Sequence, residues 1–324
     1  MKAALMMDAK TLPHVFGDAE RRRLHELLEV DFSQVATSFD DLDSAALSEV
    51  EVLLTGWGVP RVDVRALGAM PALRAIIHWG GSVGFIDPAA TARGVVVSSA
   101  RDANAIPVAE YTVALLILAA KDAFWVSRQY SAEQRAIDRE AELAHTGLYG
   151  TSIGIVGASS IGSRVMEMLR TFAVDVFLFD PFATAQRAEE LGATLVTTME
   201  ELASRCRILS VHAPEIPATR GMVSRTVLAA LPDGSTVVNT SRGTLIDQEA
   251  LVDELRSGRL RAMLDVTDPD VLPVGHPLYT LPNVFLTPHL AGSTGSELRR
   301  LGQATVSEVA RLVAGLPFAH PMAI

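Results

Sequence analysis

Four polar residues each stand at or just behind a short apolar run. Arg242 follows VVNTS, Asp265 lies in AMLDV, Asp270 comes five residues later, and His289 follows VFLTP. These types together could run a hydride transfer on a carboxylate-bearing carbonyl compound. Such a reaction needs a cation to grip the carboxylate, an imidazole that trades a proton near neutral pH, and an acid to orient it. Taken singly, Arg242 reads as a surface ion pair and His289 as a satisfied loop histidine. Their shared placement behind apolar runs is what joins them into one candidate site.

A second constellation is TSIGIVGASSIGSRVMEMLRTFAVDVFLFD, Thr151 to Asp180. Ile153 to Val156 is a short apolar run ending in a glycine turn. Ile161 to Phe172 carries apolar residues at helical spacing, and Val174 to Phe179 is a second apolar run. The stretch predicts a βαβ unit that holds a dinucleotide. Gly157 would make the tight turn, Gly162 would let helix and strand pack closely, and the helix N-terminus would hold a pyrophosphate. Asp180, at about the 20-residue distance expected, would accept from a ribose diol and repel a 2′-phosphate. The middle position of the glycine pattern is Ser159, whose hydroxyl could donate to a phosphate oxygen.

The elements that must position these residues alternate along the whole chain. Residues 1 to 102 predict a small parallel α/β domain, with strands at Ala3 to Met7, Val50 to Thr55, Leu73 to Trp79 and Val95 to Ser99. Its loop His78 to Asp87 has glycines at 80, 81 and 84, which free backbone N–H groups for a small anion; an ordinary glycine turn fits the spacing equally. Asn104 to Lys121 predicts an apolar helix with Pro107 in its first turn, crossing between domains or buried against a second subunit, over which the polar arm Ser127 to His145 would reach. After Asp180 the alternation continues to a last strand at Val284 to Leu286 and a long helix from Ser296 to Ala314. The expected architecture is two doubly wound parallel-sheet α/β domains. A Rossmann domain, 103–292, is inserted into a smaller flavodoxin-like substrate domain made of 1–102 and 293–324.

Composition narrows the function further. With 49% hydrophobic and 20% charged residues, the chain of 324 residues can bury two ordinary cores. A net charge of -10 argues against a nucleic-acid partner. The single cysteine, Cys206, allows no intrachain disulfide, sits where a buried structural thiol is expected, and fits a reducing compartment. Met1 to Met7 is too short for a signal segment, and the most apolar stretch, Val113 to Ala120, is too short for a bilayer. A cytoplasmic enzyme with no membrane partner is the expectation.

The runs ANAIPVAEYTVALLILAA, VVNTSRGTLIDQEALVDEL and LDVTDPDVLPVGHPLYTLPNVFLTPHLAGST resemble the D-isomer-specific 2-hydroxyacid dehydrogenases, and the likeness covers nearly the whole chain. The resemblance implies NAD as cofactor, a small 2-oxo or 2-hydroxy acid as substrate, and a homodimer. By it, Arg242 clamps the substrate carboxylate and polarises the carbonyl, and His289 is the acid/base with Asp270 as its partner, ranked above Asp268. Backbone at Gly80, Gly81 and Ser82 would hold the carboxylate. The cofactor would lie along Gly157, Ser159, Ser160, Ile161, Gly162, Asp180, Ala213, Pro214, Thr219, Thr240 and Gly292, with Asp265 on the nicotinamide amide. The chain departs from the family at Ser159, where Gly is usual, and at Asp270, where Glu is usual and reaches one methylene further. The same scaffold also serves non-enzymatic NAD-sensing proteins, a reading that retention of Arg242 and His289 disfavours. The formate dehydrogenase branch is disfavoured by the charge at Asp270. With nothing following Ile324, so is an allosteric phosphoglycerate enzyme.

Overall fold

Short runs of Val, Ile and Leu recur between helical segments because a parallel strand, covered on both faces, needs apolar residues at every position. In the computed structural model, which describes residues 1–324, those runs form two all-parallel sheets, each within its own unit.

The first unit comprises Met1–Ala105 and Ser293–Ile324. Its strands are β1 (Ala3–Met6), β2 (Val35–Ala36), β3 (Val52–Thr55), β4 (Ala75–His78) and β5 (Val96–Ser99), in the order β2-β1-β3-β4-β5. That order is flavodoxin-like, and its switch point lies between β1 and β3. Strands β3 and β4 are buried at every residue. Helix Leu298–Val313 packs its buried face, Leu301 and Val309 among it, on a cluster with Val15, Phe16, Leu24 and Leu54.

The second unit, Ile106–Gly292, holds seven strands. These are β6 (Ser152–Val156), β7 (Asp175–Phe179), β8 (Thr194–Leu195), β9 (Ile208–Val211), β10 (Thr236–Asn239), β11 (Arg261–Leu264) and β12 (Val284–Leu286). They run in the order β12-β11-β10-β9-β6-β7-β8. This is the doubly wound dinucleotide-binding order with one strand added at an edge, and its switch point lies between β6 and β9. Cys206 is buried beneath β6, and burial pushes its thiol up to about 12, as befits an inert core residue.

One expectation is corrected. The apolar helix runs Arg101–Ala120, so Pro107 lies inside it rather than in its first turn. The Asn104 N–H already bonds the Ala100 carbonyl, and the helix therefore begins earlier than the proline signal placed it. The helix begins in the first unit, which ends at Ala105, and runs on into the second from Ile106, the domain-crossing alternative of the two expected. Ala109, Val113, Leu116 and Ala120 pack on Ile153, Ile155, Val165 and Leu178 of the same unit. At 20 residues it has the length of a membrane span, yet 56% of its most apolar window is buried inside the chain.

Candidate active site

Chemistry in a doubly wound sheet is carried by the loops at the carboxyl ends of the strands, and in the second unit two of these loops build the switch point. After β6 the chain turns at Gly157, whose φ of 94° is a left-handed conformation that favours glycine. A Cβ there would lie 2.9 Å from the backbone of Ala213, just beyond β9. At Gly162 a Cβ would lie 2.1 Å from the Gly157 carbonyl oxygen, so helix Ser160–Leu169 approaches the turn only because that position is bare. The two glycines thus do what their spacing predicted.

Ser159 is the N-cap of this helix, and its Oγ accepts from the Gly162 N–H at 3.3 Å. Accepting leaves its own proton free to donate to an anion, while Ser160 and Ile161 present first-turn N–H groups that no helical carbonyl can reach. Asp180 directly follows β7, and its Oδ2 accepts from the Ala158 N–H at 2.7 Å while Oδ1 accepts from the Phe182 N–H at 2.8 Å. The acid therefore shapes the glycine turn. Each oxygen keeps a lone pair for a ribose hydroxyl. Bare glycines, free N–H groups in the first turn of the helix and a diol acceptor fit an adenine dinucleotide lacking a 2′-phosphate.

Beyond β9, Ala213 is buried, and Thr219 Oγ1 donates to the Pro214 carbonyl at 2.6 Å, tightening the loop Pro214–Thr219. Thr240 is buried and shares a 2.7 Å hydroxyl contact with Thr112. Gly292 closes the unit. Gly80, Gly81 and Ser82 follow β4 in the first unit.

Arg242 follows β10 in a turn that Asn239 fixes by donating to the Arg242 carbonyl at 2.8 Å and accepting from the Ser241 N–H at 3.0 Å. Its guanidinium is half exposed, donates to the Ser241 carbonyl at 2.7 Å, and sets Nε 3.4 Å from Glu215 Oε2. Glu215 is a neighbour the sequence reading missed. The only available signal was an acid directly after Pro214 on a strand-end loop.

His289 is held by Asp265. This buried acid directly follows β11, its carbonyl accepts from the His289 N–H at 2.8 Å, and its carboxylate accepts from the N–H groups of Leu290 and Ala291, each at 2.9 Å. Thr287 Oγ1 donates to the same carboxylate at 2.6 Å and accepts from Tyr111 at 3.2 Å. His289 sits at φ 54°, in a region histidine enters more readily than most residues but that still needs such anchoring. In this structure the Asp265 carboxylate is thus engaged with the protein's own loop, apart from any nicotinamide contact.

Asp270 Oδ1 stands 3.9 Å from His289 Nδ1, beyond a direct hydrogen bond and close enough for ion pairing or one bridging water. Asp268 is turned elsewhere, its Oδ2 accepting from Arg220 at 2.9 Å. Of the two acids, Asp270 is the one that stands near His289.

The sequence also matches a family model over residues 113–291, that of the NAD-binding domain of the D-isomer-specific 2-hydroxyacid dehydrogenases. The chain belongs to this family. As a D-isomer-specific 2-hydroxyacid dehydrogenase family member, it is 34% identical over 275 residues to the D-3-phosphoglycerate dehydrogenase of Mycobacterium leprae, covering 84% of this chain and 51% of that protein. To the enzyme of the same name from Methanocaldococcus jannaschii it is 31% identical over 294 residues, 90% of this chain and 55% of that one. The chain spans about half the length of these curated relatives. A solved protein of Thermus thermophilus superposes with a TM-score of 0.78 at 28% identity, covering all of both chains. Rhodotorula graminis D-mandelate dehydrogenase, at 23% identity, shares the fold with a TM-score of 0.83 over 100% of this chain and 98% of that one.

Proposed function

We propose that the chain is an NAD-dependent oxidoreductase that interconverts a 2-oxo acid and its D-2-hydroxy acid. The observation that carries this reading is the loop of His289, pinned by Asp265 with Asp270 3.9 Å away, on the same strand ends as Arg242. Arg242 offers a planar cation that grips the substrate carboxylate and polarises the carbonyl. His289 would give its proton to the carbonyl oxygen, and a nicotinamide cofactor held at Gly157, Ser159 and Asp180 would supply the hydride chemistry that completes the alcohol. In the reverse direction His289 takes the proton back. Asp270, 3.9 Å from His289 Nδ1, orients the imidazole. A cytoplasmic homodimer belongs to the same proposal, and light scattering at micromolar concentration tests the dimer.

The test of the reaction is a panel of 2-oxo acids with NADH, followed by loss of reduced nicotinamide absorbance. At least one acid is reduced, and Arg242→Lys loses most of the activity while still binding NADH, because a point charge does not reproduce a bidentate clamp. NADH binding with no acid turned over would leave the non-enzymatic reading instead.

A further inference from the structure

We propose that Tyr111 and Thr112, consecutive residues of helix Arg101–Ala120, are positioning residues that set the two loops carrying Arg242 and His289, each through a threonine hydroxyl. The proposal rests on the oxidoreductase reading above and adds the residues that aim its two catalytic groups. All of them belong to the second unit.

The two loops are built alike. Thr240 is the first residue beyond β10, with Arg242 two further on; Thr287 is the first residue beyond β12, with His289 two further on. The helix answers each threonine with one hydroxyl. Thr112 Oγ1 meets Thr240 Oγ1 at 2.7 Å, and the Tyr111 hydroxyl donates to Thr287 Oγ1 at 3.2 Å. Strand β11 lies between β10 and β12, so the loops are separated by two strand spacings, roughly 10 Å. Neighbouring residues on a helix point about 100° apart, and that divergence lets a single turn reach both.

Counting protons fixes the direction of each bond. Thr112 Oγ1 has one proton, which goes to the Val108 carbonyl at 2.7 Å, so Thr240 must donate to Thr112. Both hydroxyls are buried. On the other side Thr287 gives its proton to Asp265 Oδ1 at 2.6 Å, and toward Tyr111 it can only accept. Burial pushes the Tyr111 phenol above its ordinary value, which keeps it a donor at neutral pH. Neither threonine hydroxyl is free to turn.

Each lock continues into the loop it serves. Thr240 leads directly into the turn in which Asn239 holds the Ser241 N–H and the Arg242 carbonyl. Thr287 shares the Asp265 carboxylate with the N–H groups of Leu290 and Ala291, on either side of which the chain must keep His289 at φ 54°. Fastening the helix to the sheet does not require these hydroxyls, because Ala109, Val113, Leu116 and Ala120 already pack on it. Tyr111 and Thr112 are the only hydroxyl-bearing residues among the 20 of the helix, and both face strand ends that carry the chemistry.

The experiment measures hydrogen exchange peptide by peptide, and steady-state kinetics with NADH on an accepted 2-oxo acid, in the full chain and its Tyr111→Phe, Thr112→Val and Thr112→Ser variants. Tyr111→Phe should speed exchange in residues 287–291 and leave 240–243 as in the parent, and Thr112→Val should do the reverse. In turnover, Tyr111→Phe should lower kcat by about three- to tenfold, the size one hydrogen bond commands, with KM for the acid little changed. Thr112→Val should raise that KM by about the same factor. Thr112→Ser keeps the hydroxyl and should stay near the parent in both measurements. Exchange unchanged in both loops, or raised in both alike by either variant, overturns the proposal, as does a Thr112→Ser variant as impaired as Thr112→Val. If no acid is reduced although NADH binds, the oxidoreductase reading falls by itself, and the exchange pattern alone decides whether the helix sets the two loops.

Discussion

Glu215 holds Arg242 from the side. Its Oε2 is 3.4 Å from the guanidinium Nε, and Thr244 Oγ1 steadies its Oε1 at 2.8 Å. Both side chains are about half exposed, so the pair by itself adds little to stability. In the proposed reaction its weight lies in competition, because a substrate carboxylate would draw on the cation that Glu215 already faces.

Glu215→Gln should therefore lower KM for a 2-oxo acid severalfold, with little change in kcat. Removing a competing charge acts on ground and transition state alike. Steady-state kinetics on any accepted substrate checks this, and a raised KM would mean that Glu215 aims the guanidinium instead of competing for it.

Asp270→Asn keeps the shape and removes the charge facing His289, and kcat should fall about tenfold, less than the roughly 10²–10⁴-fold that the proton transfer itself commands. Asp270→Glu adds one methylene across a 3.9 Å separation that a carboxylate–imidazole bond should close to about 3 Å, and should hold or raise kcat. Equal kcat in the parent and both variants would remove Asp270 from the mechanism.

The acid that holds the loop is a separate matter. Asp265→Asn replaces a carboxylate that accepts three bonds with an amide that has one acceptor oxygen and an unwelcome pair of donors. A loss of about 1–3 kcal/mol of stability is expected from donors left unsatisfied, and kcat should fall with it as the loop of His289 slackens. Denaturant unfolding and turnover measured side by side check both, and normal kcat in a destabilised protein would separate the loop from catalysis.

Much of this was legible in the sequence because parallel strands are buried on both faces and show as apolar runs, and because Gly157, Gly162 and Asp180 carry their roles in their spacing. Glu215 was not, since an exposed acid on a loop looks like any other until its partner is placed. The task of Asp265 was hidden for another reason: the groups it accepts from lie in residues 287–291, across a strand pairing that sequence does not display. The start of helix Arg101–Ala120 was misjudged because a proline is tolerated beyond the first turn when the carbonyl it abandons is otherwise accommodated. Strand β2, two residues at a sheet edge, is too short to leave a pattern.

NADH should be preferred over NADPH through Asp180. Asp180→Ala should narrow that preference and also weaken NADH, since the Ala158 and Phe182 N–H groups lose their acceptor and the glycine turn loosens. Equal catalytic efficiency with both cofactors in the parent chain would sink the assignment.

Stability should fall in mildly acidic solution, before the carboxylates titrate. His212 is buried beside the switch point, its Nε2 2.8 Å from Ser210 Oγ and its Nδ1 without a partner; His78 is buried in the first unit. Burial pushes each from the ordinary 6.5 to about 4, because an imidazolium there would lose its hydration. Below pH 6.5 the unfolded chain takes up protons that the folded chain refuses. Folding stability therefore declines as pH falls from about 6.5 to about 4, by on the order of a few kcal/mol per histidine, and these groups contribute no further change below that. Acids held below their usual range, such as Asp31, Glu49 and Glu201, act in the same direction only at lower pH. Thermal unfolding measured in steps from pH 7.5 to 4.5 should show a falling Tm, and His212→Gln should flatten the slope for the second unit. A Tm constant across that window would show that neither imidazole resists protonation in the folded state.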